Sequence, residues 1–191
     1  MGIDLFGMEN LFLLGHSIGG QLIGLAPSAH KARKIILVGA QSGYWKFWNG
    51  PERAKLWILW HIIFPTLTNL FGYLPSRSFS KMENLPKGVA TQWRQWCVAP
   101  NYLFDNVDPS KCHFKSVTST VISFSVDDDD LAPKAAVDWL AAAFKNAKVQ
   151  RRHLFPTELG VKRLGHFGFF SKTMQNQIWQ PLANELQQEI K

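Results

Sequence analysis

Apolar residues are bunched along this chain, and the spacing within each bunch predicts an element. Leu11-Phe12-Leu13-Leu14 is a short unbroken apolar run, the pattern of a strand buried on both faces. Ile18, Leu22, Ile23, Leu25 and Ala26 then recur near helical spacing, which predicts a helix over 18–26. Lys34-Ile35-Ile36-Leu37-Val38 predicts a second strand. Thr120-Val121-Ile122-Ser123-Phe124-Ser125-Val126, with its apolar residues alternating, predicts a third. A helical pattern over 134–144 follows, and Val149-Gln150-Arg151-Arg152-His153-Leu154-Phe155 reads as a last strand. Strands alternating with helices predict an α/β fold: a mainly parallel sheet with flanking helices.

Between the first strand and the first helix stands Gly15-His16-Ser17-Ile18-Gly19-Gly20. A G-x-S-x-G pentapeptide arises by chance in roughly one chain in fifteen of this length, so the flanking strand and helix carry the signal. In that context the turn is a nucleophile elbow, which strains the serine backbone and points the hydroxyl out of the sheet. Side chains at Gly15 and Gly19 are expected to collide with neighbouring backbone. The N–H of Ile18, opening the helix, is the candidate oxyanion donor. The plainer alternative is a glycine-rich turn with a capping serine.

A nucleophilic serine requires a histidine base and usually a carboxylate that orients it. The third strand runs straight into Asp127-Asp128-Asp129-Asp130, which places these acids at the same sheet edge as Ser17. At least two of the four read as solvated or helix-capping acids. A calcium loop is disfavoured, since the spaced oxygen ligands and central glycine of an EF-hand are missing. Of the six histidines, His16, His30, His61, His113, His153 and His166, only His166 follows the last strand in a glycine-flanked loop, Gly165-His166-Phe167-Gly168. Its plainer alternative is a partly buried histidine among aromatics. His16, Tyr44, Trp45 and Phe167 are candidate substrate contacts.

These motifs resemble the α/β-hydrolases, in particular the lipase, esterase and serine-aminopeptidase-like branches and bacterial hydrolases with a similar S-G-Y-W segment and G-H-F-G-F-F ending. The resemblance runs from about Asn10 to the C-terminus. It implies an α/β-hydrolase fold with a Ser17–His166–Asp129 triad. Asp129 matches the acid of the family's D-x-x-x-P pattern through Pro133, with Asp128 the fallback one residue away. One departure is large: the elbow usually follows a fifth strand, some ninety or more residues into such a domain. The earlier strands and the loop that supplies the second oxyanion donor are absent from this sequence, and Met1 to Met8 reads as the remnant of the helix before the elbow strand. Losing one donor costs roughly 3–4 kcal/mol of transition-state stabilisation, so this chain alone is expected to be poorly active. The fold expected is a partial one.

The interval from 42 to 116 is far longer than an ordinary connection between strands and holds Trp45, Trp48, Trp57, Trp60, Trp93 and Trp96. It reads as a helical, aromatic-rich cap inserted into a core of 1–41 and 117–191, with turns at Pro51, Pro65, Pro75, Pro86 and Pro100. Leu56-Trp57-Ile58-Leu59-Trp60-His61-Ile62-Ile63-Phe64 is apolar on all sides. It reads either as the wall of an acyl site or a lid that touches lipid, or, more plainly, as a helix buried between cap and core. Polar residues and Pro65 interrupt it too early for a membrane span.

At 191 residues a single domain is expected. Lys and Arg number 21 against 14 Asp and Glu, for a net charge of +7, but the cations are scattered and no nucleic-acid patch emerges. Cys97 and Cys112 match no metal spacing. The reading is a cytoplasmic serine hydrolase acting on an ester-type bond, carboxylic ester or thioester, of an apolar small molecule. No cofactor and no metal are implied. The rival is an inactive hydrolase-like chain that serves as a binding module.

Overall fold

The four segments read as strands form one sheet: β1 Phe12–His16, β2 Lys34–Val38, β3 Thr120–Val126 and β4 Val149–Leu154, in the order β1-β2-β3-β4 and all parallel. The computed structural model describes residues 11–78 and 83–188; the helix expected over Met1 to Met8 lies outside them. The register puts Leu14 beside Ile36, Ile36 beside Ile122 and Phe124 beside Arg152. Every residue of β2 is buried, which is why it reads as an apolar run, and so are all of β3 but Thr120, including Ser123 and Ser125. Ile36, Val38, Ile122, Phe124 and Val126 form a core with Leu164, Phe169, Met174, Ile178 and Leu182 from the C-terminal segment.

Two compact units divide the chain, 1–41 with 110–191, and 42–109. The expected division at 116 therefore falls earlier, for a packing reason. A Cβ on Gly24 would stand 2.4 Å from carbons of the Phe114 ring, so that ring lies directly on the glycine. Gly24 C=O also accepts the His113 N–H at 2.7 Å, which ties 110–116 to the sheet-bearing unit. In this unit the first helix runs Ile18–Ile23, stopping at Gly24, and the helix after the aspartates runs Lys134–Ala141. Lys34 is 2% exposed at the side chain and is paired with Glu185 at 3.3 Å. Glu185 also meets Arg152 at 2.9 Å. Partial burial works to raise the Glu185 carboxyl, but the hydrogen bonds and charges of Arg152 and Lys34 outweigh it and hold the group below the ordinary range.

The second unit carries the six tryptophans of the interval. Helix Gly50–Ile58 passes through a π-helical stretch Leu59–Ile63 into helix Phe64–Phe71, which ends at Gly72 with φ 74°. A short antiparallel pair, Tyr73–Leu74 with Leu85–Pro86, precedes helix Lys87–Val98. Pro65 does not make the expected turn. It sits in the first turn of its helix, where the wider turn upstream accommodates a residue that lacks an N–H. Nor is the stretch from Leu56 to Phe64 buried all round. Trp60 and Phe64 are inside, packed at 4.5 Å between ring centres, whereas Trp57, Ile58 and Ile62 are exposed. No described helix is long and apolar enough to cross a membrane.

Candidate active site

Ser17, directly after β1, has φ 50° and ψ −123°, a backbone conformation that costs a non-glycine residue about 1–3 kcal/mol. The surrounding main chain holds it there. Ser17 N–H donates to Val38 C=O at 2.9 Å, and Ser17 C=O accepts from Gly20 and Gln21 at 3.0 and 3.2 Å. The turn closes because two glycines touch. A Cβ on Gly15 would stand 2.5 Å from Gly20 Cα, and one on Gly20 would stand 2.5 Å from Ala40 Cβ and 2.8 Å from Gly15 O. Gly19, expected to be one of the two tight positions, has open space around it among the described residues. Its place belongs to Gly20, the residue on the inner side of the helix. The hydroxyl of Ser17 makes no capping hydrogen bond, so the capping-serine alternative is not what the turn shows. Ile18 opens the helix, where a backbone N–H has no intrahelical acceptor.

The four aspartates do four different things. Asp129 Oδ2 accepts a hydrogen bond from His166 Nδ1 at 2.7 Å, with the side chains only 1% and 6% exposed. Its Oδ1 accepts the N–H groups of Leu131 and Ala132 at 2.9 and 3.0 Å, which fixes the carboxylate plane. Asp128, the fallback acid, faces the same loop but not the imidazole: its two oxygens accept the N–H groups of Leu164 and Gly165 at 3.0 and 2.8 Å. Asp127 is exposed and meets His153 Nε2 at 3.3 Å, while His153 Nδ1 lies 2.8 Å from Ser125 Oγ. Asp130 is exposed at 3.7 Å from Arg163. His166 therefore pairs with one acid, while another holds the backbone of the two residues before it. The Ser17 hydroxyl makes no hydrogen bond to His166 in this structure; such contacts commonly tighten only when substrate is bound.

Residues that the sequence did not single out complete the arrangement. Gly39, just after β2 with φ 54°, lies against the pair: a Cβ there would approach His166 Cε1 at 3.2 Å and Asp129 Oδ2 at 3.3 Å. Gln41 donates to Leu131 C=O at 3.1 Å and accepts from Gln21 at 3.1 Å. This buried amide chain links the elbow helix to the acid loop. A glycine at a strand end was a readable signal for Gly39. Nothing in the local pattern marked the glutamines, because their partners are distant in the chain.

His16 lies against His166. Its Nε2–H donates to the C=O of His166 at 2.9 Å, and its ring lies 4.7 Å from the His166 ring and 5.4 and 5.1 Å from Phe167 and Phe170. Burial lowers its pKa below the ordinary histidine value, against the raising effect of that hydrogen bond. Phe167 is 69% exposed beside His166. Tyr44 and Trp45 belong to the other unit, where their rings meet each other at 6.3 Å and Lys46 and Arg53 approach the Trp45 face. Among the described residues no group of three or more His, Cys, Asp or Glu is placed to hold a metal.

No protein-family model and no curated protein matches the chain. Solved structures do. A monoacylglycerol lipase from Paleococcus ferrophilus matches with a TM-score of 0.52 at 13% identity, over 93% of this chain and 68% of that one. An esterase from Exiguobacterium antarcticum matches with a TM-score of 0.52 at 15% identity, over 97% of this chain and 70% of that one. The chain thus spans roughly two thirds of the length of these structures. What the likeness shows is the fold: a partial α/β-hydrolase fold, with a mainly parallel four-stranded sheet and flanking helices.

Proposed function

We propose that the protein is a serine hydrolase that cleaves an ester-type bond, carboxylic ester or thioester, in an apolar small molecule. The observation that carries this reading is the buried hydrogen bond between His166 and Asp129 at the sheet edge where the strained Ser17 follows β1. In the proposed reaction Ser17 Oγ attacks the carbonyl carbon while His166 Nε2 takes its proton. Asp129 holds the imidazole with its proton on Nδ1 and stabilises the imidazolium that forms. Ile18 N–H faces the oxyanion. Collapse of the tetrahedral intermediate breaks the ester bond, and the leaving oxygen or sulfur takes the proton from His166. Water then repeats the sequence on the acyl-serine. Support for an apolar substrate comes from Ile18, Leu131, Phe167 and Phe170, four exposed apolar side chains next to or near these residues.

A fluorophosphonate probe tests the nucleophile: labelling that maps to Ser17 is expected. A folded sample that stays unlabelled would favour the binding-module alternative. The acyl part is tested by kcat/KM along a series of p-nitrophenyl esters from two to eight carbons. Each methylene buried adds up to about 0.8 kcal/mol, roughly fourfold; a flat series removes the apolar-acyl part of the reading.

A further inference from the structure

We infer that His16 is a positioning residue for the proposed base, setting the place of His166 through its main chain. The inference rests on the hydrolase reading above. It starts from the weakness of the segment that carries His166. Residues 165–168 form one short helical turn, Gly165 enters it at φ 60°, and the preceding residues 155–163 are turns and coil. The backbone hydrogen bonds of 155–161 close turns within that stretch, and the N–H groups of Leu164 and Gly165 go to a side chain, so no regular ladder fixes the ring that follows.

Two side chains at strand ends supply what the segment lacks. From the end of β3, Asp128 takes the N–H groups of Leu164 and Gly165. From the end of β1, His16 donates to the C=O of His166 itself at 2.9 Å. His16 precedes Ser17 directly, so this bond connects the nucleophile's strand to the base's backbone with no intervening element. The acceptor is a carbonyl, so the bond requires the proton on Nε2. A neutral ring suits the position. When His166 takes the proton from Ser17 it becomes a cation, and a charged His16 with its ring 4.7 Å away would oppose that step. Burial favours the neutral form.

The experiment compares wild type, His16→Phe and His16→Gln by kcat, KM and the rate of fluorophosphonate labelling at Ser17. Phe keeps an aromatic ring without a donor, whereas Gln offers an N–H at similar reach. His16→Phe is expected to lower kcat and the labelling rate about tenfold with KM within about twofold, and His16→Gln to recover a substantial part. If His16→Phe does not fold, His16→Met, which also lacks the donor, takes its place. Wild-type rates in the variant without a donor overturn the inference and leave the hydrolase reading standing. Equal losses in the Gln and Phe variants also overturn it, because ring packing alone would then be responsible. Absence of labelling in folded wild type overturns both.

Discussion

The sheet carries two serine–aspartate–histidine groups in the same chain order, Ser17, Asp129 and His166, and Ser125, Asp127 and His153. In the second group all three side chains are hydrogen-bonded, at 2.8 Å from Ser125 to His153 and 3.3 Å from His153 to Asp127. In the first, the serine hydroxyl has no hydrogen-bond partner among the described residues. By hydrogen bonding alone the second is the more complete. Its chemistry is nevertheless closed. Ser125 lies inside β3 in the regular register, 4% exposed, with no helix start beside it to receive an oxyanion. Asp127 is 57% exposed at its side chain, so water screens its charge from His153. Ser17, by contrast, follows its strand at a positive φ, and the histidine and acid proposed to serve it are shielded from solvent. Backbone strain and the burial of the acid separate a candidate nucleophile from a hydrogen-bonded serine.

The sharpest way to break this contrast is to remove each hydroxyl. Ser17→Ala is expected to reduce ester hydrolysis by about 10⁴-fold or more, while Ser125→Ala leaves the rate within about twofold. A large loss in Ser125→Ala with Ser17→Ala near normal would invert the assignment. The acids come next. Asp129→Asn is expected to cost about 10⁴-fold in kcat, since the amide can stabilise the wrong imidazole tautomer; Asp127→Asn, an exposed partner, changes kcat by less than about twofold. Asp128→Asn should fall between them, because an amide oxygen can replace one of the two main-chain contacts. The smallest effect is one of stability. His153→Ala leaves the buried Ser125 hydroxyl without its partner and is expected to lower unfolding free energy by about 1 kcal/mol, with kcat unchanged; denaturant melts read the first and ester assays the second.

Much of this contrast could be read from the sequence. The strands at Lys34–Val38 and Thr120–Val126 fall where an apolar run and an apolar alternation placed them. Chain order and glycine flanks singled out Ser17 and His166. Choosing among four adjacent aspartates needed the family pattern, because a one-residue slip reverses the direction of a side chain and nothing local marks the strand end. The tight glycine was misplaced for a related reason. The motif names Gly19, but which face of the helix approaches β1 is a tertiary fact, and it selects Gly20. The Gln21–Gln41–Leu131 chain and the hold of Asp128 on Leu164 and Gly165 join residues far apart in the chain, which local pattern does not record. The exposure of Trp57, Ile58 and Ile62 likewise depends on packing, not on composition.

The central strand pair has a consequence for how the chain folds. Lys34 pairs with Thr120 and Val38 with Phe124, so each bond between β2 and β3 closes a loop that contains all of 42–109. Closing a longer loop is thermodynamically mild, about 0.6 kcal/mol for each doubling of length. The burden falls on rate, because that entropy is lost before the paired strands return any stabilisation. An inserted unit that collapses early shortens the gap its flanking strands must cross. One that stays open leaves the apolar β2 waiting for its neighbour and prone to find another chain first.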